Sequence, residues 1–171
     1  NFGINDNKLI YMPQYADTFF EEMKPDIKNY ENKDTYNIVF AGNMGVAQSL
    51  PTILEAARIL KSENINITWH MIGDGSEYEN SKKQAEEYSL DNVIFYGRKP
   101  KSDMPNYYSM ADAMLVTLFK DELISYTLPG KVQSYMAAGK PIMAAANGET
   151  PDSISESKCG LCAGSEDAKG L

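Results

Sequence analysis

From residue 36 onward, short apolar runs alternate with amphipathic stretches. Asn37-Ile38-Val39-Phe40-Ala41-Gly42 is an apolar run closed by glycine, the form of a parallel strand buried on both faces. Leu50, Ile53, Leu54, Ala57 and Leu60 then recur at helical spacing on one face. Ser49 stands at the N-cap of that predicted helix, and Pro51 near its first turn. The pattern repeats. Residues 67–72 form a strand that stops at Gly73-Asp74-Gly75, and residues 77–89 a polar helix rich in Glu and Lys. A strand over 92–96 stops at Gly97, a short helix covers 103–110, and a strand follows over 113–118. A helix over 131–138 ends at Gly139 with Pro141 just beyond, the usual stop signal. Residues 141–145 return as a strand, 152–157 as a short helix and 160–163 as a last strand.

Strand and helix alternating about five times predict an α/β fold, a Rossmann-like doubly wound parallel sheet with helices on both faces. Ligands in such sheets bind outside the carboxyl ends of the strands, near the point where strand order reverses. That rule selects the loops after Ala41, Ile72, Tyr96 and Leu118. Before this regular region, residues 1–35 are polar and irregular, apart from a short strand over Lys8–Pro13 and a solvated loop over 26–34. The division is therefore 1–35 as a connecting segment and 36–171 as the folded domain.

Composition adds limits. The chain has 171 residues, about one domain, with 43% hydrophobic and 23% charged residues. A core of this size needs no disulfide or metal. A net charge of −8 argues against a general nucleic-acid surface. It leaves room for one diphosphate, which a helix N-terminus and a few backbone N–H groups can hold. No apolar run approaches the roughly 18 residues of a membrane span, and the first residues lack the features of a signal peptide. A cytoplasmic location is the expectation. Cys159-Gly160-Leu161-Cys162 has redox spacing without the strand-then-helix setting that chemistry uses. Two small apolar residues on a short buried strand are the expected role.

Several loops offer chemistry beside a plainer structural role. Gly42-Asn43-Met44-Gly45 lets a phosphate approach the backbone, or only turns the chain; its spacing matches neither the dinucleotide fingerprint nor the P-loop. Asp74, between Gly73 and Gly75, contacts a ligand hydroxyl or serves as a turn residue. Gly97-Arg98-Lys99 places two cations at a strand end, for a ligand or for solvent. In Thr127-Leu128-Pro129-Gly130-Lys131 the chain runs directly into a helix, whose free N–H groups and Lys131 suit a diphosphate, or which is a simple turn. His70, within an apolar strand beside Trp69, reads as a packed or hydrogen-bonded histidine rather than a catalyst.

Taken together, these stretches resemble the C-terminal domain of the retaining glycosyltransferases of two-Rossmann (GT-B) architecture known as family 4. The stretches are Tyr11-Met12-Pro13-Gln14-Tyr15-Ala16-Asp17, Phe40 to Gly45 with Gln48-Ser49-Leu50, Ile72 to Gly75, Val93 to Gly97, and Tyr135-Met136-Ala137-Ala138-Gly139-Lys140-Pro141-Ile142. The opening loop is similar to that of the polysaccharide-assembly branch. The resemblance implies that residues 1–35 are an interdomain crossover and 36–171 the nucleotide-sugar-binding half. The acceptor-holding N-terminal half and a final helix would lie outside this sequence.

The roles implied are these. Gly42, Asn43, Gly45 and Leu128, Pro129, Gly130 and Lys131 would hold the diphosphate, with Lys131 stabilising the leaving group. Gly97 and Arg98 would border the base, and Gly73 and Asp74 would line the site. Many members carry an Arg and a Lys in the opening loop, where this chain has Asn43 and Gln48. Many carry two glutamates eight residues apart, where it has Tyr126 and Ser134. Ser134 is then the partner for a ribose hydroxyl, and Glu122 the replacement for the first glutamate.

The implied partners are a nucleotide-sugar donor, UDP-linked by family precedent, and a saccharide or lipid-linked acceptor held by the other half. The donor is a substrate, so no cofactor and no metal is implied. The fragment alone is expected to bind donor without turning it over, and the parent to work at the inner face of the membrane. Two rivals stand beside this. A nucleotide-sugar epimerase of the same architecture needs acid and base groups converging in the cleft. A non-catalytic, receiver-like α/β module needs an acidic cluster at the strand ends, which the sequence does not supply.

Overall fold

The apolar runs become parallel strands of one sheet: β1 (Tyr36–Ala41), β2 (Ile67–Ile72), β3 (Val93–Gly97), β4 (Ala113–Thr117), β5 (Ile142–Ala145) and β6 (Gly160–Ala163). Their order is β3-β2-β1-β4-β5-β6, the doubly wound arrangement with its reversal between β1 and β4. This is a computed structural model, and it describes residues 5–8, 10, 12, 15–21 and 34–171. Between the strands lie α2 (Leu50–Ser62), α3 (Tyr78–Glu87), α4 (Met104–Met110), α5 (Glu122–Ser125), α6 (Gly130–Ala137) and α7 (Glu149–Ser157); α1 (Thr18–Glu21) precedes them.

Strand side chains alternate between two cores, which explains why the strands read as continuous apolar runs. Ile38 and Phe40 of β1 join Trp69, Met71 and Leu115 on the face covered by α2 residues Ile53, Leu54 and Ala57. Val39 and Ala41 join Ile72, Met114 and Val116 on the other face, against Tyr108 of α4, Val132 and Tyr135 of α6, and Ile154 of α7.

The seam at the reversal point is incomplete, and that positions the site. β1 and β4 pair in register at Ile38↔Ala113 and Val39↔Met114. Above that level the polar groups of Ala41 turn to a side chain. Ala41 N–H donates to Tyr135 Oη at 3.0 Å, and the same hydroxyl donates to the Ala41 carbonyl at 2.9 Å. Tyr135 is fully buried, so these bonds face no competition from water. Lys140, also buried, donates to the carbonyls of Ser109 and Ala111 at 2.9 and 3.0 Å, closing the C-terminus of α4.

Some sequence expectations need correction. The strand expected over Lys8–Pro13 falls partly outside the described residues, and Lys8 itself ends a 3-10 turn. There the Asn5 carbonyl and side chain accept from the N–H groups of Lys8 and Asn7 and favour the turn. The early segment is not wholly irregular, because α1 buries Phe20 in a stack on Tyr108, ring centroids 5.0 Å apart. α5 was not expected; the Asp121 carboxylate caps it by accepting from Leu123 N and Ile124 N at 2.8 and 3.1 Å. The last strand is not buried. β6 pairs with β5 on one side and lies at the end of the sheet, with Leu161 82% exposed and Cys162 exposed. Both cysteines are free, and burial holds the Cys159 thiol above its ordinary value.

Candidate functional site

At the carboxyl ends of β1, β2 and β3 the ladder continues into the loops. Gly42 N–H donates to the Ile72 carbonyl at 2.9 Å, Gly73 N–H to Gly97 at 3.0 Å, and Met44 N–H to Asp74 at 2.8 Å. This close stitching requires a bare backbone. A Cβ on Gly73 would lie 1.8 Å from the Gly42 carbonyl oxygen, and Gly73 has φ +138°. The loops enclose a cleft of about 490 Å³ whose lining includes Gly42, Asn43, Gly73, Asp74, Arg98 and Lys99. Along the opening loop, alternate N–H groups are taken. Gly42 and Met44 are bonded, while those of Asn43 and Gly45 have no acceptor among the described residues.

Lys131 enters from the second residue of α6 and crosses the open seam between β1 and β4. Its ammonium lies 3.9 Å from the centroid of the Phe40 ring, which belongs to the core on the opposite face. It donates to Gln48 Oε1 at 2.5 Å. A Cβ on Gly42 would stand 3.2 Å from both its Cε and its Nζ, so the absent side chain at Gly42 makes room for the cation. The residue as a whole is partly exposed, while its ammonium packs against the Phe40 ring and Gln48 and is largely desolvated. That desolvation pushes Lys131 down to about 7. Among the described residues no carboxylate pairs with it.

The structure thus brings together Gly42, Asn43, Gly73, Asp74 and Arg98 in the cleft, with Lys131 against Gly42 at its edge. Asp74 has a local partner, since its Oδ1 accepts from Gly75 N–H at 2.8 Å. Gly45 and Gly97 stand beside lining residues without lining the cleft themselves. Leu128, Pro129 and Gly130 form the approach to α6, outside that lining, with Leu128 packed on the core. Ser134 faces its own helix, its hydroxyl donating to the Gly130 carbonyl at 3.3 Å. Glu122 sits exposed on α5 and does not line the cleft. The loop after Leu118, expected to contribute, does not line it either.

Sequence reasoning missed Tyr135, Phe40 and Met104 as parts of this site. Tyr135 carried a signal, an aromatic three residues after Val132 on the buried face of α6. Nothing local announced that its hydroxyl would reach Ala41. His70 is accounted for as expected: Nδ1 lies 2.8 Å from Tyr96 Oη and Nε2 3.0 Å from Asn37 Oδ1. Nε2–H donates to the amide oxygen and Nδ1 accepts from the phenol, the neutral tautomer, in keeping with a pKa lowered by burial. Of the two arginines, Arg58 pairs with Glu55 on the surface and Arg98 lines the cleft. Among the described residues, no group of three or more His, Cys, Asp or Glu is placed to hold a metal ion.

This fold agrees with the sequence match. Residues 22–171 match the family described as glycosyl transferases group 1. The chain belongs to that family. Its relatives include the probable glycosyltransferase WbjE of Pseudomonas aeruginosa, 33% identical over 61% of this chain and 26% of that protein. Another is the putative colanic acid biosynthesis glycosyl transferase WcaI of Escherichia coli K12, 25% identical over 80% of this chain and 35% of the relative. The chain therefore spans about a quarter to a third of the length of these two relatives. Among solved structures, Anabaena HepE in complex with UDP and glucose superposes with a TM-score of 0.62 at 17% identity. That match covers 80% of this chain and 36% of HepE, and it shows the shared fold. No helix among the described residues is long and apolar enough to cross a membrane. In this glycosyl transferases group 1 domain Asn43 lines the reversal-point cleft and Gln48 accepts from Lys131.

Proposed function

We propose that this domain binds the donor of a retaining glycosyl transfer, a sugar linked to a nucleoside diphosphate, and that its parent acts in surface polysaccharide synthesis. The observation that carries this is the meeting of Lys131 with the Gly42 loop across the β1–β4 seam. A lysine without a carboxylate partner among the described residues stands there beside backbone N–H groups of Asn43 and Gly45 that lack acceptors. The N–H groups of Gly130 and Lys131 at the start of α6 add to them. In the transfer, the bond from sugar C1 to the diphosphate oxygen breaks and one from C1 to an acceptor hydroxyl forms. Negative charge develops on the leaving diphosphate, and fixed donors aimed at it lower the barrier. Arg98 borders the base, uridine being the class carried by the HepE complex. Ser134 is assigned a ribose hydroxyl and Glu122 the place of the family's first glutamate.

The acceptor would be a saccharide or lipid-linked sugar held by an N-terminal half joined through residues 1–35. Donor binding without turnover is the behaviour assigned to this chain alone, in a cytoplasmic parent. An epimerase would need acid and base groups in the cleft, and His70 has both ring nitrogens engaged elsewhere.

Calorimetric titration with UDP, GDP and ADP tests the reading. One nucleotide should bind saturably, and Lys131→Ala should weaken it by about tenfold or more, the range of a lost charge-assisted contact. Equal affinity for the Lys131→Ala protein would remove Lys131 from the site.

A further inference from the structure

The setting of Lys131 points beyond a fixed positive charge. Its ammonium lies over the Phe40 ring and donates to the Gln48 amide oxygen, in space that a side chain at Gly42 would crowd. From α6 the titratable neighbour is Tyr135, whose phenol is tied to both polar groups of Ala41 and kept protonated by burial. β1 and the opening loop present Phe40, Ala41 and Gln48, none of them ionisable. The charged residues lining the adjoining cleft are Asp74, Arg98 and Lys99, from the loops after β2 and β3. Among the described residues nothing therefore compensates a buried ammonium except one neutral amide and one ring face. Both are weak partners beside a full negative charge.

We propose that Lys131 is a proton-coupled anion receptor: neutral in the empty cleft, it takes one proton from solvent as a diphosphate arrives. The proposal rests on the donor-binding reading above and deepens it. Burial disfavours the charged form, and an opposite charge brought within contact favours it. In the empty domain the first effect prevails, since only the Gln48 amide and the Phe40 ring oppose it and no carboxylate does. A diphosphate, bearing its full negative charge at mildly alkaline pH, supplies the second. Gln48 then has a definite role. Its amide oxygen accepts an N–H from either form of the amine, so it holds the side chain in place before the charge is present.

Two measurements on this chain test the idea. UDP, GDP and ADP are titrated at about pH 8 in buffers of small and large ionisation enthalpy, and the slope of heat against that enthalpy counts protons. With Lys131 near 7 in the free domain, binding should take up about 0.9 of a proton. Lys131→Arg, permanently charged, should bind with close to none. Separately, the Lys131 Cε carbon resonance, assigned by its loss in Lys131→Arg, should titrate near neutrality in the free chain. Binding with no proton uptake, or a resonance that titrates above about 10, overturns the proposal while leaving the donor reading in place. A lysine that titrates near neutrality in a chain that binds none of the three nucleotides overturns the donor reading instead.

Discussion

Tyr135 commits a single hydroxyl to both backbone groups of Ala41, at 3.0 and 2.9 Å, within a fully buried setting. The ring would stay in place in Tyr135→Phe, since only an oxygen is removed, but two buried backbone groups would lose their partner. Leaving such groups unmet costs about 1–3 kcal/mol, more than the net worth of one ordinary hydrogen bond. Urea denaturation of Tyr135→Phe should therefore show a loss in that range with an unchanged slope. A loss under about 0.5 kcal/mol would mean that β1 finds other partners above the seam. The same contact explains the location of the site. The hydroxyl occupies the place where β4 would continue its ladder, so β1 and β4 stay apart there and Lys131 can cross between them.

At the scale of elements, α2 begins in an unexpected manner. Ser49 is at its N-cap as the sequence suggests, but in the left-handed region (φ 43°, ψ 54°), with no side-chain bond to the helix backbone. Its hydroxyl meets that of Thr52 at 2.9 Å instead. A left-handed non-glycine residue costs roughly 1–2 kcal/mol, and a buried hydroxyl pair returns about 0.5–1.5. Ser49→Gly gives up both effects and should stay within about 0.5 kcal/mol of the parent. Ser49→Val keeps the strain and loses the bond, and should lose about 2 kcal/mol or more. Thermal melts of the two variants check this ordering, and a reversed order would show that left-handed strain at this position does not set the difference. The turn over Val46–Gln48 that leads into Ser49 had no apolar period to reveal it. The strands were legible as short apolar runs buried on both faces, and the longer helices because their burial follows a period of 3.6 along the chain. α5, four residues long, offered only its cap, Asp121. In the site, glycines placed after strands were legible as close-approach points. The meeting of Lys131 with Gln48 was not, because it joins positions 83 apart and depends on how two loops cross one seam.

For the whole molecule, the site is a clasp. Gly42 to Gln48, Gly73 and Asp74, Arg98, and Lys131 come from segments far apart in the chain and lie on both sides of the reversal point. A ligand bridging them would stabilise the whole domain by mass action, about 2.7 kcal/mol at a hundred times its Kd. For a chain of this length that is a rise in Tm of roughly 5–11 °C. The pH dependence has a definite sign. Lys131 in the free fold sits near 7, well below an unfolded lysine at about 10.4. Between those values the unfolded state binds more protons, so the free domain loses stability as pH falls from the upper value toward the lower. Raising pH from about 7 to 9 should therefore add about 2 kcal/mol to the free domain, and Lys131→Met should lack that gain. The liganded domain, which needs the charged lysine, gains less over the same range. The Tm rise produced by a fixed concentration of UDP should shrink across that interval, and Lys131→Arg should keep a constant rise. A rise that is constant in the parent chain would mean that the cation is charged before the ligand comes, so that the clasp attracts an anion without taking up a proton.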